Sequence, residues 1–359
     1  MPKYTIHPEI DQAETLPSSF YRSTEVFENL KEKVFSNSWQ FIGDESQIAL
    51  DGQVYPFSFC GTDEPMLLTR ENGAIKNVSN VCTHRGNILC HHPAKQKNIT
   101  CAYHGRRFGL DGQFQNMPQF KEAKNFPREA DHLHEFPLLK WASWLFTSVS
   151  NGFDFQEVID AMHRKVGFMP LGEFKLDTER SKDYLVNAHW ALYCDNYLEG
   201  FHIPFVHADL NAVLDYGNYE TVLYKHANLQ IGFADGSDHV FDFPEGHEDH
   251  GKSIAAYYFW LFPNMMFNFY PWGLSINVVK PISVDRTRVS FITYVYDESK
   301  LDSGAGAGLD KVEREDEFVV EGVQKGMKSS IYHTGRYSPK MERGVHHFHR
   351  LLTEFMDRG

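Results

Sequence analysis

Cys194-Asp-Asn-Tyr-Leu-Glu-Gly-Phe-His-Ile-Pro-Phe-Val-His207 packs one carboxylate, Glu199, and two imidazoles, His202 and His207, into nine residues. Glu199 and His202 stand three apart and share a helix face, whereas His202 and His207 stand five apart and diverge on an ideal helix. Pro204 removes a backbone donor and disfavours the α conformation at Ile203, so the helix is expected to break there and let the imidazoles converge. Two histidines and a carboxylate from elsewhere make the facial triad of non-haem Fe(II) sites, which leaves positions open for oxygen and substrate. With nineteen histidines in the chain, a His pair beside a proline is also compatible with packing alone, so the rest of the chain has to decide.

The chain has 359 residues, more than one ordinary domain, and 42% of them are hydrophobic, so two globular domains with a large core are expected. A net charge of −13 and a pI near 5.8 argue against nucleic acid and anionic membrane as partners, since neither polyanion is attracted. The first residues lack an apolar signal core, and the most apolar run, Tyr257 to Trp272, is interrupted by Pro263, Asn264, Asn268 and Pro271. A soluble, cytoplasmic protein is therefore expected. Five cysteines are too few and too odd in number for a disulfide scaffold, so those with patterned spacing are read as metal ligands. Cys60, Cys90 and Cys194 are read as small buried hydrophobes.

Ser23 to Phe35 reads as an amphipathic helix with Val26, Phe27, Leu30, Val34 and Phe35 on one side and Ser23 or Thr24 as N-cap. From Trp39 to about Ser150 the pattern changes to short strand-like segments, Gly52 to Ser58, Met66 to Thr69 and Ala74 to Val78, separated by turn signals. Within this small all-β domain lie Cys82-Thr-His84 and Cys101-Ala-Tyr-His104, sixteen residues apart. A structural zinc site has the same ligand inventory but usually opens with two closely spaced cysteines. One Cys and one His from each of two loops instead suit a Rieske [2Fe–2S] cluster, with thiolates on one iron and imidazoles on the other. Gly86, Gly105 and Gly109 fit loops that bring backbone N–H groups near sulfur, or plain tight turns.

Cys82-Thr-His84-Arg-Gly, Cys101-Ala-Tyr-His104-Gly and Asp195-Asn-Tyr-Leu-Glu199-Gly-Phe-His202-Ile-Pro-Phe-Val-His207 together resemble the oxygenase (α) component of the Rieske non-haem iron oxygenases over nearly the whole chain. The resemblance implies an α+β fold: residues 1–37 packing on the catalytic domain, a Rieske [2Fe–2S] domain over 38–150, and a catalytic domain over 151–359 whose antiparallel sheet is covered by helices. It also implies that Glu199 bridges the two metal centres and that the third iron ligand is an Asp near the C-terminus. Ring-hydroxylating members usually carry Asp where Glu199 stands; Glu there resembles the branch that oxidises quaternary ammonium compounds such as choline or carnitine. Arg106-Arg107-Phe108 follows the second loop where many members carry Trp.

Asn151 to about Asp183 reads as a linker with one helix near Phe155 to His163. Ala234 to Lys252, rich in Gly and acidic residues, reads as a loop, with His247 and His250 as loop residues rather than ligands. Tyr257 to Phe262, Met265 to Tyr270, Leu274 to Val279 and Arg288 to Tyr296 suit one antiparallel sheet. From Leu309 to Met327 the positions Val312, Val319, Val320, Val323 and Met327 form a helical stripe that includes Asp316, with Glu313, Arg314, Glu317 and Lys325 elsewhere. An inward carboxylate is costly unless ion-paired or metal-bound, so Asp316 is the candidate third ligand beside His202 and His207, as the family pattern also has it. The closing helix, with Met341, Val345, Phe348, Leu352 and Phe355 on one face, reads as packing, and His346, His347 and His349 as surface residues.

These features together point to a terminal oxygenase, mono- or dioxygenase, in which the Rieske cluster passes electrons to mononuclear Fe(II) and O2 is activated beside a small organic substrate, a quaternary ammonium compound being favoured. An aromatic-ring hydroxylating dioxygenase is the alternative. A Rieske electron carrier fused to a binding module, and a zinc hydrolase using His202 and His207, are rivals of other classes; the first leaves the His-His-Asp set unused and the second the Cys/His loops. Tyr257, Tyr258, Phe259, Trp260, Phe267, Phe269, Tyr270 and Trp272 can build a cage for an ammonium ion or a slot for an aromatic ring, although on alternating strands only about half of them face one side. The resemblance further implies a homotrimer in which one subunit's cluster serves its neighbour's iron. It also implies an NAD(P)H-dependent flavin reductase as donor, with or without a separate ferredoxin, and no Gly-x-Gly-x-x-Gly nucleotide loop occurs in this chain.

Overall fold

The sequence folds into two compact units in the computed structural model, which describes residues 3–213, 215–234, 236 and 239–358. One unit is Phe35–Phe153; the other joins residues 3–34 to 154–358.

Ser23 caps helix α1 (Thr24–Leu30) by accepting the Val26 N–H, and the chain continues through a wider turn over Lys31–Phe35 that keeps Val34 and Phe35 buried with Val26, Phe27 and Leu30. The Phe35–Phe153 unit is entirely antiparallel. Strands β1 (Trp39–Asp44), β2 (Gln53–Ser58), β3 (Pro65–Glu71), β4 (Ala74–Ser79), β5 (Ala94–Lys95), β6 (Ile99–Thr100), β7 (Arg107–Phe108), β8 (Phe114–Asn116), β9 (Glu135–Phe136), β10 (Leu138–Trp141) and β11 (Trp144–Ser148) form three sheets. Their orders are β5-β2-β3-β4-β9, β1-β11-β10 and β6-β7-β8. Val54, Leu67, Val78, Ile99, Phe108 and Leu133 gather into one apolar cluster that also takes in Cys82 and Cys101. The core thus carries both thiols.

The second unit is built on seven antiparallel strands: β12 (Lys175–Val186), β13 (Glu220–Tyr224), β14 (Ala227–Phe233), β15 (Ile254–Leu261), β16 (Met265–Tyr270), β17 (Gly273–Ser283) and β18 (Arg286–Val295), in the order β12-β18-β17-β16-β15-β14-β13. Helices α2 (Gln156–Val166), α3 (Trp190–Tyr197), α4 (Ile203–Val206), α5 (Ala208–Asn211), α6 (Leu309–Gly326) and α7 (Arg343–Asp357) complete it, giving a mixed α+β protein. The four expected strands are four of the seven. β12 lies largely in the stretch expected to be a linker, because most of its side chains are polar and exposed and give no alternating apolar signal. The loop from Ala234 to Lys252 does contain His247, stacked on Phe243, and His250, bonded to the Phe243 carbonyl; positions 235, 237 and 238 lie outside the described residues.

Further expectations fail here. Pro204 does not break a helix: α3 ends at Tyr197, and Pro204 sits in the first turn of α4, where its missing N–H needs no partner. On α6 the inward face runs through Glu313, Asp316, Val320, Gln324 and Met327, so Glu313 is buried while Val323 is exposed. The α7 histidines are not at the surface. His349 is 1% exposed, with its Nε2 against Asp195 Oδ1 (2.8 Å) and the Tyr21 hydroxyl (3.1 Å) and its Nδ1 against the Tyr337 hydroxyl (2.6 Å). His346 is buried too, its ring bonded to the His7 carbonyl, and His347 is partly buried against Asn228. Cys194 is fully buried as expected, but Cys60 and Cys90 are only partly so.

Candidate metal centres

The two Cys/His loops have the same backbone construction. Cys82 donates its N–H to the Asn87 carbonyl and Cys101 to the Arg106 carbonyl, both at 2.8 Å, while Gly86 and Gly105 return N–H bonds to the Cys82 and Cys101 carbonyls, both at 3.0 Å. Closing each loop this tightly needs a left-handed residue, and Gly86 (φ 69°) and Gly105 (φ 73°) supply it without a Cβ clash. The imidazoles of His84 and His104 come together, ring centres 4.8 Å apart at 76°. The Asn87 amide stands 3.7 Å from Cys101 Sγ. Burial raises both thiols; at Cys101 the N–H groups of Tyr103 and His104, the Cys82 thiol and the Asn87 amide outweigh it and bring the thiol below its ordinary value, while Cys82 stays above. Two soft sulfurs on one side and two imidazoles on the other, with N–H groups directed at sulfur, fit a Rieske cluster.

Arg106 is 2% exposed. Its guanidinium bonds Asp131 Oδ1 at 2.7 Å and lies 5.1–5.8 Å from the ring centres of Phe108, Phe114 and Phe126. Asp131 also accepts the Arg128 backbone N–H at 2.7 Å. A paired guanidinium inside a ring of phenylalanines therefore fills the place where Trp is common, which sequence reading had noted without finding the partner.

In the second unit, His202, His207 and Asp316 converge, with one potential ligand atom of each within 4.8 Å of the others; this is the only such group of three among the described residues. Asp316 Oδ1 lies 3.1 Å from His207 Nε2 and 3.5 Å from His202 Nε2. Each imidazole is held from behind through Nδ1: His202 by Glu199 Oε1 at 2.8 Å, His207 by Glu315 Oε2 at 2.7 Å. Burial lowers the His207 pKa, but Asp316 and then Glu315 outweigh it, and the net shift is upward. A His-His-carboxylate face with carboxylates fixing both ring orientations fits Fe(II). Glu315 escaped sequence reading because nothing in the helix pattern sets it apart from Glu313 or Glu317.

Glu199 has a second task. Its Oε2 accepts the N–H groups of Phe201 and His202, tying down the turn that leads into α4. Helices α3 and α6 are joined by three polar links: Tyr193 to Glu313, Asn196 Nδ2 to Asp316 Oδ1 at 2.5 Å, and the His189 N–H to Gln324 Oε1 at 2.8 Å. Burial pushes the imidazole of His189 down to about 3, so it sits neutral at the start of α3.

A cavity of about 780 Å³, measured to its open mouth, adjoins these residues. Its sheet side follows the period-two alternation of a strand: Gln230, Tyr258, Asn268 and Ser275 pair across β14 to β17, with Tyr270 and Asn277 two residues along. Tyr193, Tyr197, Tyr219, Glu313 and Phe291 complete the polar and aromatic wall, and Ile203, Leu210, Leu309 and Val312 the apolar one. Of the eight aromatic residues picked out from the sequence, only Tyr258 and Tyr270 line it; Tyr257 points to the other face, where its hydroxyl bonds Asp249 at 2.6 Å.

Alanine at Cys82 or His104 is expected to abolish the cluster's visible absorption while the His202–His207–Asp316 site still takes up iron, as read by spectrum and iron content. Unchanged absorption would remove these residues from the ligand set.

Residues 38–127 match the Rieske [2Fe–2S] domain and residues 173–358 the ring hydroxylating alpha subunit (catalytic domain). Choline monooxygenase, chloroplastic, of Beta vulgaris is 28% identical over 97% of this chain and 78% of its own. The carnitine monooxygenase oxygenase subunit of Escherichia coli K12 is 29% identical over 96% and 94%. Among solved structures, the quaternary ammonium Rieske monooxygenase CntA shares the fold with a TM-score of 0.78 and 23% identity, over 98% of this chain and 99% of that one. With a Rieske domain joined to this catalytic domain, the chain belongs to the ring hydroxylating alpha subunit family and is the alpha subunit of a Rieske non-haem iron oxygenase, related to the choline and carnitine monooxygenases.

Proposed function

We propose that this oxygenase hydroxylates or oxidatively demethylates a small quaternary ammonium compound, with Cys82, His84, Cys101 and His104 holding the cluster and His202, His207 and Asp316 the mononuclear iron. The observation that carries the reading is the cavity wall: five tyrosines, and no Lys or Arg among the described residues that line it. A quaternary ammonium ion has no N–H to donate, so its complement is aromatic faces and carboxylates rather than hydrogen-bond acceptors. The row Gln230–Tyr258–Asn268–Ser275 gives an apolar ring system a polar surface to desolvate, which disfavours the ring-hydroxylating alternative. With no basic side chain in the wall, a substrate carboxylate would lack a partner, so a choline-like alcohol suits the cavity better than a carboxylated ammonium compound. The names of the relatives support the same class.

When bound, the cluster and the iron supply one-electron transfer and the activation of O2. The chain's own residues do the positioning. Glu315 and Glu199 fix the rings of His207 and His202, Asn196 orients Asp316, and the tyrosines hold the methyl groups beside the triad. Glu199 is also the link to a neighbouring subunit's His104 in a homotrimer. The exposed Phe205 (81%) and Phe318 (82%) on the catalytic unit, and the exposed Tyr103 beside His104 on the other, support such a head-to-tail ring. The working division is a Rieske domain over 38–150 and a catalytic domain over 151–359, the residues before 38 belonging with the latter. The donor is an NAD(P)H-dependent flavin reductase, with or without a ferredoxin. Among the described residues no helix is long and apolar enough to cross a membrane; the cytoplasm is the proposed location.

Substrate-dependent O2 uptake, with reductase and NAD(P)H present, tests the reading. Uptake coupled to product is expected with choline-like ammonium compounds, and uptake with aromatic acids alone would replace it by ring dioxygenation.

A further inference from the structure

Among the described residues three carboxyl groups line the cavity: Glu199, Glu313 and Asp316. Two are committed, Asp316 to the His202–His207 face and Glu199 to the His202 ring and two backbone N–H groups. Glu313 is not. It stands one helical turn before Asp316 on α6, is 2% exposed, and bonds the Tyr193 hydroxyl through Oε2, while Oε1 has no hydrogen-bond partner among the described residues. Leaving a buried carboxyl oxygen unmet is costly, and more so when the group is charged. If Tyr193 were the whole reason for this side chain, an amide would serve it as well without a charge to bury.

Among the described residues no cation answers Glu313. Arg314, next to it on α6, has a largely exposed side chain turned to Glu317 at 3.5 Å. Burial, with Asp316 and Glu317 of like charge nearby, raises the Glu313 carboxyl well above the usual range against the smaller opposing effects of Tyr193 and Arg314. A carboxyl in that setting becomes favourable as a carboxylate when a positive charge enters beside it. The cavity wall around it contains Tyr193, Tyr197, Tyr258 and Tyr270, whose rings can take methyl groups but balance a full charge only in part.

We infer that Glu313 is the specificity-determining carboxylate that faces the ammonium group of the substrate and selects a cation over a neutral molecule of the same shape. This rests on the ammonium reading proposed above and adds to it the residue that enforces it. Through-space pairing suits a quaternary nitrogen, which has no hydrogen to share, and the burial of Glu313 strengthens it. Tyr193 holds the carboxylate by one oxygen and leaves the other to the ligand.

The test compares choline with 3,3-dimethyl-1-butanol, its uncharged isostere, by calorimetric binding to the iron-loaded holoenzyme without oxygen. Wild-type protein is expected to favour choline, and E313Q to lose about tenfold or more of that preference with little change toward the isostere. E313D, which keeps the charge, should retain part of the preference. If E313Q does not melt cooperatively, Glu313→Met carries the same comparison. An undiminished preference in E313Q, or equal weakening toward both ligands, overturns the assignment and leaves the ammonium reading standing. Wild-type protein that does not distinguish the two ligands overturns both.

Discussion

Alanine at His202, His207 or Asp316 is expected to empty the mononuclear site and lower turnover by about a thousandfold or more, roughly 4 kcal/mol of activation free energy, while the visible spectrum of the cluster stays intact. The two centres are held by different units, so damage to one ligand set leaves the other loaded. The size of the effect follows from the geometry. Among the described residues only three donor atoms converge, at 3.1–3.5 Å between Asp316 and the two Nε2 atoms, and removing one leaves too few to hold a labile divalent ion. Glu315→Gln tilts the His207 ring without removing a donor, so its loss should be nearer ten- to hundredfold. Metal content and single-turnover product measure both. Full iron occupancy in Asp316→Ala would pass the third-ligand role to another carboxylate of the same helix.

Glu199→Gln is expected to load both centres and still slow reoxidation of the reduced cluster by about a hundredfold when O2 and substrate are added. The carboxylate already accepts from His202 Nδ1 through Oε1 and from two backbone N–H groups through Oε2. An amide has one accepting end and one donating end, so it cannot serve the ring, the turn and a second imidazole from a neighbouring subunit together. Loss of the turn contacts alone costs about 1 kcal/mol of stability, which shows in a melting curve but does not slow electron transfer. Rapid mixing of the reduced protein with oxygen separates the two effects. Reoxidation at the unmutated rate would confine Glu199 to its local role in the turn.

Much of this site was legible because its residues are rare and clustered. Cys82, His84, Cys101 and His104 lie in two short loops, and Glu199, His202 and His207 in one stretch. Asp316 was reachable because a carboxylate among valines on a helix contradicts the apolar pattern around it. The same logic misplaced Glu313, since a stripe drawn through Val319 and Val323 rotates the helix away from its true inward face, which Val320 and Gln324 mark. His349 was unreadable for a related reason: its partners, Tyr21, Asp195 and Tyr337, are far apart in sequence or polar in their own right, and a buried polar network leaves no periodic trace. The helix boundary at Tyr197 was missed because Pro204 was read as a stop when it is equally suited to a first turn. Half of the aromatic strand residues had to face away from the cavity, and register alone decides which half.

The catalytic unit is interrupted in sequence: α1 is made before Phe35–Phe153, and its packing partner α7 comes last. During synthesis the interrupting unit is contiguous and can close its sheets once β11 has left the ribosome. Helix α1, with Val26, Phe27 and Leu30 on its buried side, has to wait for α7, roughly 300 residues later, which at about 5–20 residues per second is on the order of 15–60 s. Over that interval the side of the helix that α7 covers stays open to solvent, a natural substrate for a holding chaperone. Residues 3 and 357 finish side by side, with Lys3 Nζ 3.0 Å from Asp357 Oδ2. Joining them and reopening the chain at the boundary after Phe153 would deliver each unit whole and shorten the wait.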